Sequence, residues 1–566
     1  MRAIKFEQFE LAIALCALAA NAVAASPIWV SNTNDAGKNS LRAAITKANK
    51  VGGGEIRFCI TNTITLASPL PSLTNITITG PGTNLLTVSG NDQYQVFCMN
   101  SGTTNILSGL TIANGMVSNF YDSPYQLLGA GISNAGSLKL LDCAIRGCTN
   151  RLVYTISPVG GGIYNSGDLF MKHSGVTDCA VWSGVWWYPG GSGGGIVNEG
   201  DLRMEDCTVS GCLGYWGGGI WNSANLLLTN CIIESCSSPY PDSDGGGILS
   251  WGNLTIHSCT ISNCSSDYGG GIESWGSLAI TNSAIVDNGA IFAGGLELGG
   301  TNVMVGCTIS GNWHGGGIVN VDGVLSMFNC TVSGNGDVFE VAGGIYNGPS
   351  AYLGGNTNAT IYMNHCTLAF NTNQYGGDGV ANRGVFYSQD SIFTGNGTND
   401  FAGVFTSQGY NLIQNTNGCT IGGDETGSIY GADPLLGPLQ DNGGPTWTHA
   451  LLPGSPAIDA GSSGDTLAVD QRGIHRPQGL APDIGAFEFQ YATPVLVRMA
   501  VQSCTNSCLK LCGLGGGSYT LQASTNLVNW FNVATNITDT NGVCEFTERG
   551  AARCSPRFYR ALLPGP

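Results

Sequence analysis

The stretch Gly247-Ile248-Leu249-Ser250-Trp251-Gly252-Asn253-Leu254-Thr255-Ile256-His257-Ser258-Cys259-Thr260-Ile261 decides the fold. Leu254 and Ile256 alternate with polar neighbours, and so do Cys259 and Ile261. A period of two puts each pair on one side of a short strand. The same offsets return as Leu226, Leu228, Cys231 and Ile233, as Leu202, Met204, Cys207 and Val209, and as Leu278, Ile280, Ser283 and Ile285. Equal offsets mean vertical stacking.

Working outward, the aliphatic residue after each glycine cluster marks a unit: Ile132, Ile163, Ile196, Ile220, Ile248, Ile272, Leu296, Ile318, Ile345 and Val380. Most markers are about two dozen residues apart, and the wider gaps hold loop-like inserts such as Val181 to Gly190 and Ser350 to Asn358. A helical repeat needs a 3.6-residue stripe over ten or more residues, whereas these apolar pairs are short and broken by Gly, Asn and Ser. The expected fold is all-β: a parallel β-helix of about a dozen rungs, each with about three strands. At roughly 4.8 Å per rung it makes a rod roughly 60 Å long. The glycines suit a tight corner, and no lysine or helix start follows them to make a phosphate cradle.

Composition agrees. Of 566 residues 86 are Gly, and charged residues make up 10%, against roughly 7% and 25% in average globular proteins. A formal charge of −17 disfavours nucleic acid and anionic membrane as partners, because both repel an acidic surface. Arg2 and Lys5, the apolar run Leu11 to Ala20 and the small residues Ala22-Val23-Ala24-Ala25 have the layout of a secretory signal over residues 1–25. Cleavage is expected near Ala24 or Ala25, leaving a secreted or cell-surface chain without a transmembrane segment.

The chain has 21 cysteines, yet their positions argue against a disulfide scaffold. Cys143, Cys207, Cys231, Cys259 and Cys307 share one offset, with Ser174 and Ser283 in the same column. Cys148, Cys179, Cys212, Cys236 and Cys264 share a second, continued by Asn288, Asn312 and Asn396. Replacement by Ser and Asn reads as ladders of small buried side chains, with asparagine amides bonding along the axis. Mostly free thiols are expected, because vertical neighbours have parallel Cβ vectors. No Cys or His cluster has metal-ligand spacing, and neither metal nor cofactor is expected. A helix over Asn39-Ser40-Leu41-Arg42-Ala43-Ala44-Ile45, ending near Gly52-Gly53-Gly54, is expected to cover the open N-terminal end.

Val30 to Asp35 with Ser40 to Ile45, and later Ile78-Thr79-Gly80-Pro81-Gly82, resemble the start of bacterial right-handed β-helix repeat proteins. Asp433 to Gly437, Asp441 to Thr446, Gly454 to Gly461, Asp470 to Gly473 and Asp483 to Glu488 look like the choice-of-anchor Q domain. That family is similar in architecture to polymorphic outer-membrane proteins and adhesins, and shares its fold with polysaccharide lyases. The implied organisation is a capped β-helix over 26–400, a Q-like end of the β-helix over 401–490, and a small β-sandwich-like module over 491–566. The last part resembles C-terminal modules of exported proteins in Verrucomicrobia-like bacteria. Its Cys504, Cys508, Cys512, Cys544 and Cys554 lie outside the ladders, where disulfides are more plausible.

The Q segment holds the richest polar set, His449, Asp459, Asp470, Arg472, His475, Arg476, Asp483 and Glu488. Asp470, Arg472 and Asp483 are read as a buried network closing the C-terminal end. Lyases and hydrolases of this fold resemble one another in using acidic clusters, and none appears here at the rung spacing. Asp242, Asp244 and Asp267 lie in loops near one corner and read as a solvated turn. The aromatics Trp186, Trp187, Tyr215, Trp216, Tyr240, Trp251, Tyr268 and Trp275 concentrate near the glycine corner. They either stack on sugar rings or seal the corner. Trp216, Trp251, Tyr268 and Trp275 are the candidate ligand-binding residues. The favoured reading is a non-catalytic binding or adhesive surface for polysaccharide or cell-envelope glycans. The alternatives are a polysaccharide lyase or glycoside hydrolase, and a structural surface-layer component.

Overall fold

The computed structural model describes residues 26–119, 128–152, 159–183, 191–337, 342–349, 358–373, 379–464, 467–490, 495–503, 506–513, 516–539, 542–549 and 557–562. The signal-like segment, Trp186, Trp187, Cys504 and Cys554 lie outside these residues, as do most of the two inserts. Val181 is within them and belongs to the strand Ala180–Ser183.

A typical rung carries a three-residue strand such as Ile248–Ser250, a five-residue strand such as Asn253–His257, and another three-residue strand such as Thr260–Ser262. Some rungs add a fourth, as at Ser265–Tyr268. The first two kinds alternate within a 27-stranded sheet, and the third forms a 15-stranded parallel sheet from Asn62–Thr65 to Ile429–Tyr430. Fifteen rungs, rather than about a dozen, span about 67 Å. The ten markers are direct register partners in sequence, Ile132 on Ile163 through Ile345 on Val380. Leu254, Ile256, Cys259 and Ile261 are buried in the core.

The rung closes at the glycine corner. Gly269 has φ +54°, and a Cβ there would approach Glu273 Cβ to 2.6 Å and Ile272 O to 2.8 Å, so only glycine lets the chain turn this closely over the strand that follows.

Polar residues inside the stack bond along its axis. Cys264 N donates to Asn288 Oδ1 at 3.0 Å, beginning a ladder through Asn312, Asn335, Asn371 and Asn396 that ends on the buried Asp400. Each asparagine also donates Nδ2 to a carbonyl of the preceding rung, as Asn335 does to Ile309 O at 3.0 Å. In the other column Cys231 N donates to Cys259 Sγ at 3.2 Å and Cys259 N to Ser283 Oγ at 3.0 Å. Cys143 bonds likewise to Ser174 Oγ. The ladder cysteines have free thiols, and burial pushes the Cys143 thiol up to about 11, which keeps it protonated and inert. A further ladder absent from the sequence reading runs Asn134, Asn165, Asn198, Asn222 and Ser250 at 2.7–3.0 Å.

The helix Leu41–Lys50 is capped by Ser40, whose side chain accepts from Ala43 N, and it buries Leu41, Ala44, Ile45 and Ala48. The rungs themselves continue to Tyr430. The Q segment does not close the C-terminal end; it runs back along the outer face of the 15-stranded sheet. Thr446 Oγ1 donates to Gly306 O, Thr331 Oγ1 to Gln471 Oε1 at 2.7 Å, and Ala486 N to Thr367 Oγ1 at 3.0 Å. The reason lies in that face: Ile232 is 43% exposed, whereas Thr308, Thr331, Thr367 and Ile392 at the same strand position are buried beneath the segment. The C-terminal end is filled instead by Phe386, Phe393, Phe401 and Phe405 in edge-to-face contact.

The remaining module has two three-stranded antiparallel sheets around Leu509, Leu511, Tyr519, Leu521 and Phe546. Cys512 and Cys544 carry free thiols, so neither forms a disulfide.

The asparagine ladder sets a stability test. Asn335→Leu keeps the branched shape but strips partners from Asn312, Ile309 O and Asn371. Denaturant unfolding is expected to show a loss of roughly 2–3 kcal/mol. An unchanged midpoint would show that the ladder contributes nothing net.

Candidate functional site

Two columns of side chains flank the outer face of the three-residue strands. One is set by bridges from Ser192 to Trp216, Trp216 to Asp244 and Asp244 to Tyr268, continued by Tyr268 on Phe292. Tyr268 and Phe292 stack at 5.2 Å and 20°. Tyr215 packs against Trp216 and Tyr240, and its hydroxyl donates to Pro241 O at 3.0 Å. The other column is Trp251 and Trp275, stacked at 5.9 Å and 19° on the turn after the strand. Thus Trp251 touches Trp275, while Trp216 and Tyr268 are separated by Asp244.

The two stacked tryptophans differ in their surroundings. Trp275 covers backbone, because a Cβ on Gly299 would lie 2.6 Å from its ring. Trp251 is 55% exposed and presents a flat face. Two residues further on, Asn253 lines an open groove of about 660 Å³ on the outer face of the five-residue strands. Its floor carries Lys139, Phe170, Arg203 and Leu227, with the Arg203 guanidinium 5.8 Å from the Phe170 ring centre. Along its edge Asn253 donates to Asn225 at 2.8 Å and Asn225 to Asp201 at 2.7 Å. The Trp251–Trp275 stack therefore stands beside a groove with a largely apolar floor and a polar edge that runs along the rungs.

Between the aromatic columns lies a pair of carboxyl groups that corrects the sequence reading. Glu273 and Glu297 are register partners on adjacent rungs, 3% and 6% exposed. Glu273 Oε1 accepts from Trp275 Nε1 at 2.5 Å, and Oε2 of each glutamate is buried with no hydrogen-bond partner among the described residues. Burial pushes Glu297 up to about 8, with Asp244 adding to the shift. Glu273 is raised by burial and then by Glu297 and Asp244. Asp244 is half-buried rather than solvated; burial, then Asp242 and Asp267, pushes it up to about 6. Asp267 Oδ2 accepts from Asp242 N at 2.8 Å. The available signal was positional: each glutamate directly follows a marker, where other rungs place Leu249, Val319 or Tyr346.

The Q-segment residues form a structural lock. Arg472 pairs with Asp470 through Nε at 2.9 Å and Nη2 at 2.7 Å, and its guanidinium lies 3.5 Å from the Phe487 ring centre. Asp483 Oδ1 accepts from Asp459 N at 2.7 Å, and its own N–H donates to Glu488. Glu488 pairs with Arg476 at 3.0 Å, with both side chains fully buried. His449 is held between Ser333 Oγ and Gly437 O. These groups are occupied in holding the segment to the flank.

The model of the "right handed beta helix region" family matches residues 71–290. The chain carries a right-handed parallel β-helix fold. A tailspike protein mutant of the E. coli bacteriophage HK620, solved in complex with a pentasaccharide, is similar at 11% identity. That similarity covers 92% of this β-helix chain and 88% of the tailspike, with a TM-score of 0.24. No curated protein matches.

The carboxyl pair gives the β-helix a pH signature. Each group keeps its proton when folded over a range where the unfolded chain has lost it, so stability falls as pH rises through that range. The window runs from the ordinary value of 4.5 to about 8 for Glu297, and from 3.8 to about 6 for Asp244. Denaturation midpoints are expected to drop between pH 5 and pH 8, and Glu297→Gln to flatten the drop. A profile that Glu297→Gln leaves unchanged would remove this assignment.

Proposed function

We propose that the chain is an exported protein that binds glycans, of a polysaccharide or a cell envelope, along its rod without cleaving them. The observation that carries this reading is the Trp251–Trp275 stack beside the groove. Trp251, stacked on Trp275 and more than half exposed, offers a flat apolar face to a sugar ring. Asn225, Asn253 and Asp201 beside them supply hydrogen-bond donors and acceptors for hydroxyl groups. The rung spacing of about 4.8 Å is close to the length of one sugar residue, so a glycan lying along the axis meets equivalent positions repeatedly.

The expected result is binding to at least one member of a panel of neutral and acidic polysaccharides, followed by intrinsic tryptophan fluorescence. Trp251→Ala is expected to weaken it about tenfold, a loss of about 1.4 kcal/mol. Undiminished binding by that variant would move the site away from the stack.

Glu273 and Glu297 favour a second reading, a glycoside hydrolase. Their strands lie one rung apart, about 4.8 Å, and retaining enzymes hold two carboxyl groups about 5 Å apart. Both are buried, Glu273 beneath the turn at Gly269, which puts binding first. New reducing ends that disappear in Glu297→Gln would reverse that order.

A further inference from the structure

The C-terminal module has a surface unlike that of the rod. Its turn between Ser524 and Phe531 presents Leu527 at 57% and Val528 at 77% exposure. Ile537, Phe558 and Leu562 are exposed on the strands of the adjoining sheet. The turn is held rather than loose. Asn526 Oδ1 accepts from Val528 N at 3.0 Å and Asn529 N at 2.9 Å, and Trp530 Nε1 donates to Leu527 O at 3.1 Å. Leu527 itself has φ +61°, a conformation a leucine adopts only when its surroundings impose it. An aliphatic side chain is thus kept in water at a backbone cost, which asks for a binding role rather than a packing one.

Charge distinguishes this module further. Residues 491–566 contain six basic residues, Arg498, Lys510, Arg549, Arg553, Arg557 and Arg560, against the three acids Asp539, Glu545 and Glu548. The module therefore carries +3, and the rest of the chain −20 of the total −17. Two of the arginines lie beside the exposed turn. Arg560 is 4.4 Å from the Trp530 ring centre, and Arg557 is 4.8 Å from that of Phe531. Protruding aliphatics backed by tryptophan and arginine match the layers of a lipid interface. The aliphatics reach the acyl boundary, the indole sits among headgroups, and guanidinium groups meet phosphates. The surface is a projecting tip rather than a concavity, which fits a bilayer better than a folded protein partner.

We propose that the turn Thr525 to Trp530, with the flanking arginines, is a peripheral anchor for an anionic lipid surface. No helix of the described residues is long and apolar enough to cross a membrane. The inference is independent of glycan binding, because it uses a different part of the chain.

The test is flotation of the chain from Ser26 onward, without the apolar leader, with vesicles of equal parts phosphatidylglycerol and phosphatidylcholine. The chain is expected to float with these vesicles, and Arg557→Gln or Arg560→Gln to reduce the bound fraction about fivefold each. The double variant Leu527→Gly, Val528→Ser is expected to lower that fraction about tenfold or more. Glycine suits φ +61°, so this variant keeps the turn, and an unchanged unfolding midpoint would verify that. Equal flotation of the double variant overturns the anchor, as does equal binding to phosphatidylcholine alone. Absence of flotation with either vesicle also overturns it and turns attention to a protein partner. Retained polysaccharide binding by the variant separates this outcome from failure of the glycan reading.

Discussion

Rung-on-rung register is the constraint on which everything else rests. In a parallel stack each backbone group bonds to the coil above or below, so a residue's interior neighbours are the same position in adjacent coils. A one-residue slip would turn every core side chain outward. Like must therefore stack on like. Apolar columns meet this simply, but polar interior residues must find partners along the axis, because leaving a buried amide unpaired costs about 1–3 kcal/mol. The asparagine ladders do so by donating twice, to the next amide and to a backbone carbonyl. Cysteine and serine fill the other column because each is small enough to stack and can accept the amide of the rung beside it.

The outer faces obey no such rule, and there the molecule differentiates. Over the C-terminal rungs the threonines of the 15-stranded sheet bond to the Q segment, whose arginines bond to carboxylates and backbone carbonyls. Buried ion pairs of this kind are costly to break and contribute modestly to net stability, so their effect is to fix one path for an otherwise irregular segment. Over the middle rungs the outer face is left to aromatics, carboxyl groups and the groove.

This division explains what could be read from residues alone. The ten markers and the Cys and Asn columns were legible because interior positions repeat, and repetition is visible in one sequence. The helix over Leu41–Lys50 was legible from its Ser40 cap and the apolar residues of one face. The Glu273–Glu297 pair was not, because an outward position accepts Leu, Val, Tyr or Glu equally and no periodicity marks it. The course of the Q segment was hidden for a related reason: its partners, such as Thr331 and Thr367, lie more than 100 residues away in a sheet whose outer face is otherwise exposed. Of the four candidate aromatics, adjacency in the chain repeat brought Trp251 and Trp275 into contact. The same spacing left Trp216 and Tyr268 on either side of Asp244.

Separation of charge between rod and module has a mechanical consequence of its own. A body carrying −20 is repelled by an anionic surface, whereas a module carrying +3 is drawn to it. At physiological ionic strength screening acts within about 8 Å, so attraction is confined to side chains at the tip while the rod feels only weak repulsion. Hydrophobic contacts must then supply most of the adhesion, because three net charges contribute at most about 1 kcal/mol each. That requirement accounts for aliphatic side chains held exposed at Leu527 and Val528, where solubility alone would favour polar residues. The groove, more than two hundred residues earlier in the chain, needs none of this. Its hydrogen-bonding edge and flat rings suit a ligand whose polar groups must be met individually, and an acidic rod does not repel a neutral sugar.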